Sequence, residues 1–229
     1  MRVGIIFAME EELNAFKEKV EVTNEKKIYD LTFYQTSVNN LDVILVLSGV
    51  GKVNAARTTQ VLIDFMNVNY IFNVGVAGSV SKSVDICDIV IGSLVVQHDF
   101  NLKAFNRNRG EIPNIGTFIE GDDYLIETSE KSINGAKKGV IASGDIFCNN
   151  QRMKEKISKE FNALCVEMEG ASIAQVCHLS KVPFVIIRSI SDSLNGNKME
   201  YDEFLNISTK KVAEGIYNIL LHLNKEIKK

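Results

Sequence analysis

Tyr70-Ile71-Phe72-Asn73-Val74-Gly75-Val76 runs through the middle of this chain with almost no polar alternation. A half-exposed strand would alternate apolar and polar side chains. This stretch does not, so it reads as a strand buried on both faces, as in a sheet covered by helices. Immediately before it, Lys52–Asn67 carries Val53, Ala56, Val61, Leu62 and Phe65 and predicts a helix. Further upstream, Leu31–Val38 and Leu41–Leu47 flank Asn39-Asn40, a two-residue turn signal, and predict a hairpin. Arg2–Ala8 predicts a buried first strand. Glu10–Val20 predicts a helix with Leu13, Phe16 and Val20 on one stripe. Downstream, strands are expected at Ile89–Gln97, Gly139–Ser143, Leu164–Val166 and Pro183–Ile190. Helices are expected at Asp122–Asn134, Gln151–Glu160, Glu169–Ser180 and Tyr201–Lys225. This alternation predicts an α/β fold with a mixed or mostly parallel central sheet and helices on both sides. With two prolines, no linker and no repeat, the expected organisation is one domain over residues 1–229.

Composition narrows the function classes. The net charge is −3, with 26 basic and 29 acidic residues, so no basic face for nucleic acid is implied. The most apolar stretches, 71–80 and 86–96, fall short of the roughly 18 residues of a membrane span. The apolar run Val3–Met9 is short and leads into Glu10, Glu11 and Glu12, unlike a secretory leader. A cytoplasmic protein is expected. Cys87, Cys148, Cys165 and Cys177 form no CxxC pair, and buried reduced thiols are expected. His98, His178 and His222 form no ligand motif, so neither a metal nor a cofactor is expected.

In such sheets, ligands lie beyond the carboxyl ends of strands, and four exits carry candidates. The first is Ala8-Met9-Glu10-Glu11-Glu12. Successive helical residues point about 100° apart, so only one or two of these acids face a pocket; otherwise they are a solvated helix start. The second is Asn73–Ser79, where small residues offer backbone N–H groups to a ligand or form a simple turn. Gly49-Val50-Gly51-Lys52 is not a phosphate-binding P-loop, because Val46 and Val53 occupy places that need Gly and Ser/Thr. The third is Val166-Glu167-Met168-Glu169-Gly170, whose acids suit a vicinal diol or an exposed helix start. The fourth is Arg188-Ser189-Ile190-Ser191-Asp192, read as a structural ion pair or as a proton donor to a leaving group. Carboxylates converging on a hydroxyl-rich ligand are the logic of glycosyl-bond cleavage.

These motifs, with Ser48–Val53 and Ser143-Gly144-Asp145, resemble the 5′-methylthioadenosine/S-adenosylhomocysteine nucleosidases of the purine nucleoside phosphorylase superfamily. The resemblance runs nearly end to end. It implies a three-layer α/β/α fold with a mixed central sheet and a homodimer with a shared active site. The implied reaction is hydrolysis of the N-glycosidic bond of methylthioadenosine and S-adenosylhomocysteine, with 5′-deoxyadenosine as a further substrate. It releases adenine and the 5-thio-substituted ribose. By the same resemblance, Glu12 is the base that activates water, Arg188 helps hold that water, and Asp192, beside Ser191, protonates adenine N7. Met168 and Glu169 bind ribose, Gly78 lies near it, Phe147 stacks on adenine and Cys148 binds the base through its backbone. Met9, Val50, Phe147, Met168 and Tyr201 line an apolar 5′ pocket, to which the partner subunit lends Leu102, Phe105 and Pro113.

Two stretches depart from the common family pattern. Val76 stands where many members have serine, and the segment His98-Asp99-Phe100-Asn101-Leu102 varies in its second half. Both resemble the branch that also hydrolyses 6-amino-6-deoxyfutalosine. A phosphorylase on the same fold is the nearest rival, but Glu12 would repel a phosphate dianion. A non-catalytic nucleoside-binding or adhesion protein is the rival from another class.

Overall fold

The structure, a computed structural model, describes residues 1–195 and 198–227. The order of elements is β1 (Arg2–Phe7), α1 (Glu10–Lys17), β2 (Val22–Ile28), β3 (Leu31–Val38), β4 (Leu41–Leu47), α2 (Lys52–Met66), β5 (Tyr70–Ser79) and β6 (Ile89–Gln97). Then follow a 3-10 turn (Lys103–Phe105), β7 (Ile119–Glu120), α3 (Asp123–Ser132), β8 (Lys137–Ser143), α4 (Gln151–Phe161), β9 (Ala163–Glu167), α5 (Gly170–Ser180), β10 (Phe184–Asp192) and α6 (Lys198–Ile227). Among the described residues, no helix is long and apolar enough to cross a membrane.

The strands form one mixed sheet in the order β10-β6-β8-β9-β5-β1-β4-β3-β2. An additional parallel pairing of β10 with β5 closes five of these strands into a ring. Within it, β5 and β10 run one way and β6, β8 and β9 the other. Successive residues of the buried strands serve opposite faces. Ile71 and Ile186 pack with the apolar residues of α2 and α5. Phe72, Val74, Val185 and Ile187 pack with those of α1, α3 and α6. The expected three layers follow. Helix α4 packs separately, through Ile157 and Phe161, on the β8–β9 pair.

Local signals act as their chemistry predicts. Asn39 and Asn40 both adopt left-handed backbone (φ 49° and 68°), as a tight two-residue hairpin requires. Asp122 and Asn150 cap α3 and α4 by accepting the N–H of Leu125 (3.0 Å) and Met153 (2.9 Å). Two strands escape the periodicity reading. The residues between Val22 and Ile28 are exposed, so β2 has no apolar face and exists through its ladder with β3. Its charged residues Glu25, Lys26 and Lys27 blunt a sheet edge. The two-residue β7 is held by β6 alone. The four cysteines are unbonded to one another, with Cys87 half-buried and the other three buried.

Helix α1 matters most for the site, because its first turn carries Glu12. It is anchored by Phe16, fully buried against Phe7 with ring centroids 5.9 Å apart. Phe16→Ala is expected to cost about 3–5 kcal/mol of stability, measured by urea denaturation. A loss below about 1 kcal/mol would mean that this ring is not the anchor of α1.

Candidate active site

The chain leaves β1 at Ala8-Met9 and enters α1, whose first residues Glu10 and Glu11 face outward. Glu12 turns inward and is 3% exposed. Its Oε2 accepts the backbone N–H of Ala8 (3.0 Å) and Met9 (3.1 Å), and its Oε1 accepts that of Val76 (3.0 Å). Hence one of three successive acids is selected by helix geometry. A Cβ on Gly75 would lie 2.4 Å from Glu12 Oε1, so residue 75 is glycine because the carboxylate rests on its backbone. Burial pushes the Glu12 carboxyl above the ordinary glutamate value, against the pull of Arg188 and the three N–H groups.

Arg188, on β10, is 1% exposed. Its Nη2 donates to Asn73 Oδ1 and Glu167 Oε2 and lies 3.9 Å from Glu169 Oε2. Burial opposes its charge, and Glu167, Glu169 and Glu12 more than offset that, holding the guanidinium above the ordinary arginine value. Glu167, at the end of β9, also accepts from Ser143 Oγ and from the N–H of Glu169 (3.0 Å) and Gly170 (2.7 Å). Glu169 accepts the N–H of Gly51 at 2.8 Å. Burial, reinforced by the neighbouring charge of Glu167, pushes Glu169 up to about 8.

Asp192 follows a register shift at the end of β10 and rests on Gly78, where a Cβ would meet Oδ2 at 2.9 Å. Lys154 Nζ donates to its Oδ2 at 2.5 Å, and Ser191 Oγ lies 3.2 Å from its Oδ1. Burial raises the Asp192 carboxyl above the ordinary aspartate value, and Lys154 opposes the rise.

These groups surround a cleft of about 450 Å³ lined by Glu12, Glu167, Glu169, Ser191 and Asp192 on its polar side. Met9, Val50, Phe147, Met168 and Tyr201 line it too, as expected of an apolar pocket. Tyr201 donates to Met9 Sδ at 3.3 Å and packs edge-on against Phe147, centroids 5.6 Å apart. Gly78 borders both this cleft and an adjoining recess of about 250 Å³ that contains Cys148. Burial pushes the Cys148 thiol up to about 11, so it stays protonated at neutral pH. Arg188 is not on the cleft lining but stands behind the carboxylates. Leu102, Phe105 and Pro113 do not reach the cleft within one chain; Phe105 is 74% exposed.

Lys154 escaped the sequence reading, which named Glu167 and Asn73 within their strand exits but gave neither a role of its own. Lys154 shares the i, i+3, i+7 stripe of α4 with Ile157 and Phe161, a spacing that marks it as a lysine on a buried face. Asn73 is a buried polar interruption in the apolar run of β5. It donates to Ile6 C=O (3.0 Å) and accepts from Arg188. The Gly49–Lys52 stretch proves to be more than a turn. Its Gly51 N–H serves Glu169, and its Lys52 N–H serves Asp145 (2.8 Å).

A family model described as the phosphorylase superfamily matches residues 2–221. A 5′-methylthioadenosine/S-adenosylhomocysteine nucleosidase of Staphylococcus carnosus is 39% identical over 228 residues, spanning 96% of this chain and 100% of that protein. The chain belongs to the 5′-methylthioadenosine/S-adenosylhomocysteine nucleosidase family. A nucleosidase structure from Neisseria meningitidis, in complex with methylthio-immucillin-A, is 33% identical with a TM-score of 0.91, covering 96% of this chain and 98% of that one. A futalosine hydrolase structure from Helicobacter pylori is 35% identical with a TM-score of 0.92, covering 96% and 97%. Nucleosidase and futalosine hydrolase thus share the fold observed here.

The contact between Glu12 and Gly75 yields a direct test. Gly75→Ala forces the carboxylate off its three N–H donors. A displacement near 1 Å is expected to lower kcat on the order of 10²-fold while the circular dichroism spectrum is retained. Wild-type turnover in this variant would show that the seat of Glu12 does not matter.

Proposed function

We propose that this chain, acting as one domain over residues 1–229, hydrolyses the N-glycosidic bond of methylthioadenosine and S-adenosylhomocysteine, and that of 5′-deoxyadenosine. It releases adenine and the 5-thio-substituted ribose. The observation that carries this reading is the cleft, with buried carboxylates of three different environments facing an apolar end. A nucleoside with a thioether at its 5′ carbon matches that division of polar and apolar walls.

In this reading Asp192 gives its proton to adenine N7. The C1′–N9 bond then breaks, with its electron pair going to the base. Phe147 stacks on adenine, and the backbone at Cys148 holds its edge. Glu169 accepts the ribose hydroxyls beside Met168, near Gly78. Glu12 takes a proton from the water that attacks C1′, and its raised affinity for protons suits a base. Arg188 carries a buried Nε with no acceptor among the described residues, and the attacking water is an acceptor. The anionic walls favour the positive charge that develops on the ribose.

Water is favoured over phosphate as nucleophile by the same geometry. The Glu12 carboxylate occupies the N-terminal end of the site, and the Gly51 N–H, an obvious anion donor, already serves Glu169. The expected assay is adenine release from methylthioadenosine with free 5-methylthioribose as co-product, independent of phosphate. Asp192→Asn is expected to lower kcat by about 10²–10⁴-fold with the fold kept. A phosphate-dependent 1-phosphate product would overturn the reading.

A second substrate reading is favoured by one observation, the similarity to the Helicobacter pylori futalosine hydrolase. The departures at Val76 and at His98–Leu102 point the same way. Comparing kcat/KM for methylthioadenosine, S-adenosylhomocysteine and 6-amino-6-deoxyfutalosine ranks these substrates.

The pocket reading extends to a homodimer. In this reading Leu102, Phe105 and Pro113 complete the 5′ pocket of a partner subunit, and the exposure of Phe105 and Pro113, with Leu102 half-buried, supports it. Sedimentation is expected to give twice the 25.5 kDa chain mass, and Phe105→Asp is expected to dissociate the pair and reduce turnover. Monomeric wild-type protein with full activity would exclude a shared pocket. The cytoplasm, where thiols stay reduced, suits the four unbonded cysteines.

A further inference from the structure

Lys154 is the one fully buried lysine among the described residues, at 0% exposure. It sits on the inner face of α4, between the apolar side chains that fix the helix to the β8–β9 pair. Its ammonium donates to Asp192 Oδ2 at 2.5 Å and to the Ser193 carbonyl at 2.7 Å. It does not line the cleft. Stability does not explain such a pair, because burying two charges costs as much as their attraction returns. Two apolar side chains in place of both partners would serve stability as well.

We propose that Lys154 is a positioning residue for glycosidic cleavage, clamping the Asp192 carboxylate by Oδ2 and stabilising the negative charge it acquires as its proton leaves. The inference rests on Asp192 being the acid, as read above. In the step itself, the Asp192 O–H bond breaks and an N7–H bond forms. The C1′–N9 electron pair passes to adenine, and Lys154 keeps all its protons. Before transfer Asp192 is neutral and the ammonium gains little from it. After transfer it is a carboxylate, and the attraction is at its strongest. That difference lowers the barrier, since only interactions stronger in the transition state than in the ground state accelerate the step.

The same charge sets where the acid works. Burial drives Asp192 upward, and Glu200, from α6, adds to the rise. Tyr201 of α6, Cys148 of the β8–α4 loop and Cys165 of β9 also sense the Asp192 charge. Lys154 is the cation that pulls the other way, returning the acid toward the pH at which it must both hold and release a proton. Glu12 and Glu169 share the cleft, and both are balanced by Arg188 rather than by Lys154.

Removing a cation beside a carboxyl raises its pKa, and an acid is active while protonated. Lys154→Met is therefore expected to move the alkaline limb of the kcat/KM profile upward by about one pH unit or more. It is also expected to lower kcat on the order of 10–10²-fold with KM within about threefold, because the stabilised anion is lost. Lys154→Gln keeps a hydrogen-bond donor without charge. It is expected to show the same limb shift with a smaller fall in kcat, which covers the case in which methionine disturbs α4. In an Asp192→Asn background, Lys154→Gln should change nothing further. A merely structural lysine would lower thermal stability without moving the limb. An unmoved limb in both variants overturns the inference, whereas an active Asp192→Asn enzyme overturns the assignment of the acid itself.

Discussion

The guanidinium of Arg188 is the charge on which the site is built. It is 1% exposed, reaches Glu167 and Asn73 directly, and draws on Glu169 and Glu12 at longer range. Without it, Glu167 and Glu169, separated only by Met168, would have no cation between them. With it, Glu167 is held while it accepts the N–H groups of Glu169 and Gly170 at the turn after β9. Among the described residues, four buried carboxylates (Glu12, Glu167, Glu169, Asp192) meet two buried cations (Arg188, Lys154), leaving two negative charges in excess when all are ionised. Burial raises the affinities of Glu12, Glu169 and Asp192 for protons, and at Glu169 the charges of Glu167 and Glu12 add to the rise. A site so poised is welcoming to a developing positive charge.

Chain topology makes this concentration of acid possible. An open parallel sheet brings the carboxyl ends of its strands to one edge. Here β10 closes back on β5 while β8 and β9 run the opposite way, so two sets of strand ends overlap. Gly78 of β5 pairs with Val166 of β9, and one end of the ring thus holds Glu12, Glu169 and Asp192 together. Backbone N–H groups satisfy Glu12, one such group and a distant cation serve Glu169, and a direct ion pair serves Asp192. Three carboxyl groups of nearly equal intrinsic strength are thereby given different surroundings. The glycines at 75 and 78 are part of the same design, because two of these carboxylates rest where a β-carbon would otherwise stand.

The sequence by itself determined the layered α/β architecture. Buried strands such as Tyr70–Val76 and amphipathic helices such as Lys52–Asn67 announce their environment through periodicity, and Asn39-Asn40 announces its turn through a tolerance for left-handed backbone. It also marked the strand exits at Glu10–Glu12, Glu167–Glu169 and Arg188–Asp192, and family resemblance chose Glu12, Glu169 and Asp192 among them. Tertiary structure decided what periodicity cannot carry. The edge strand β2 has no apolar face to advertise and exists through pairing. The roles of Glu167, Asn73 and Lys154 depend on contacts between residues 21 to 115 positions apart, and charge partners across such distances leave no local pattern. Lys154 shows the division plainly. Its place on the apolar stripe of α4 was written in the chain, but the carboxylate it meets was set by the closure of β10 onto β5.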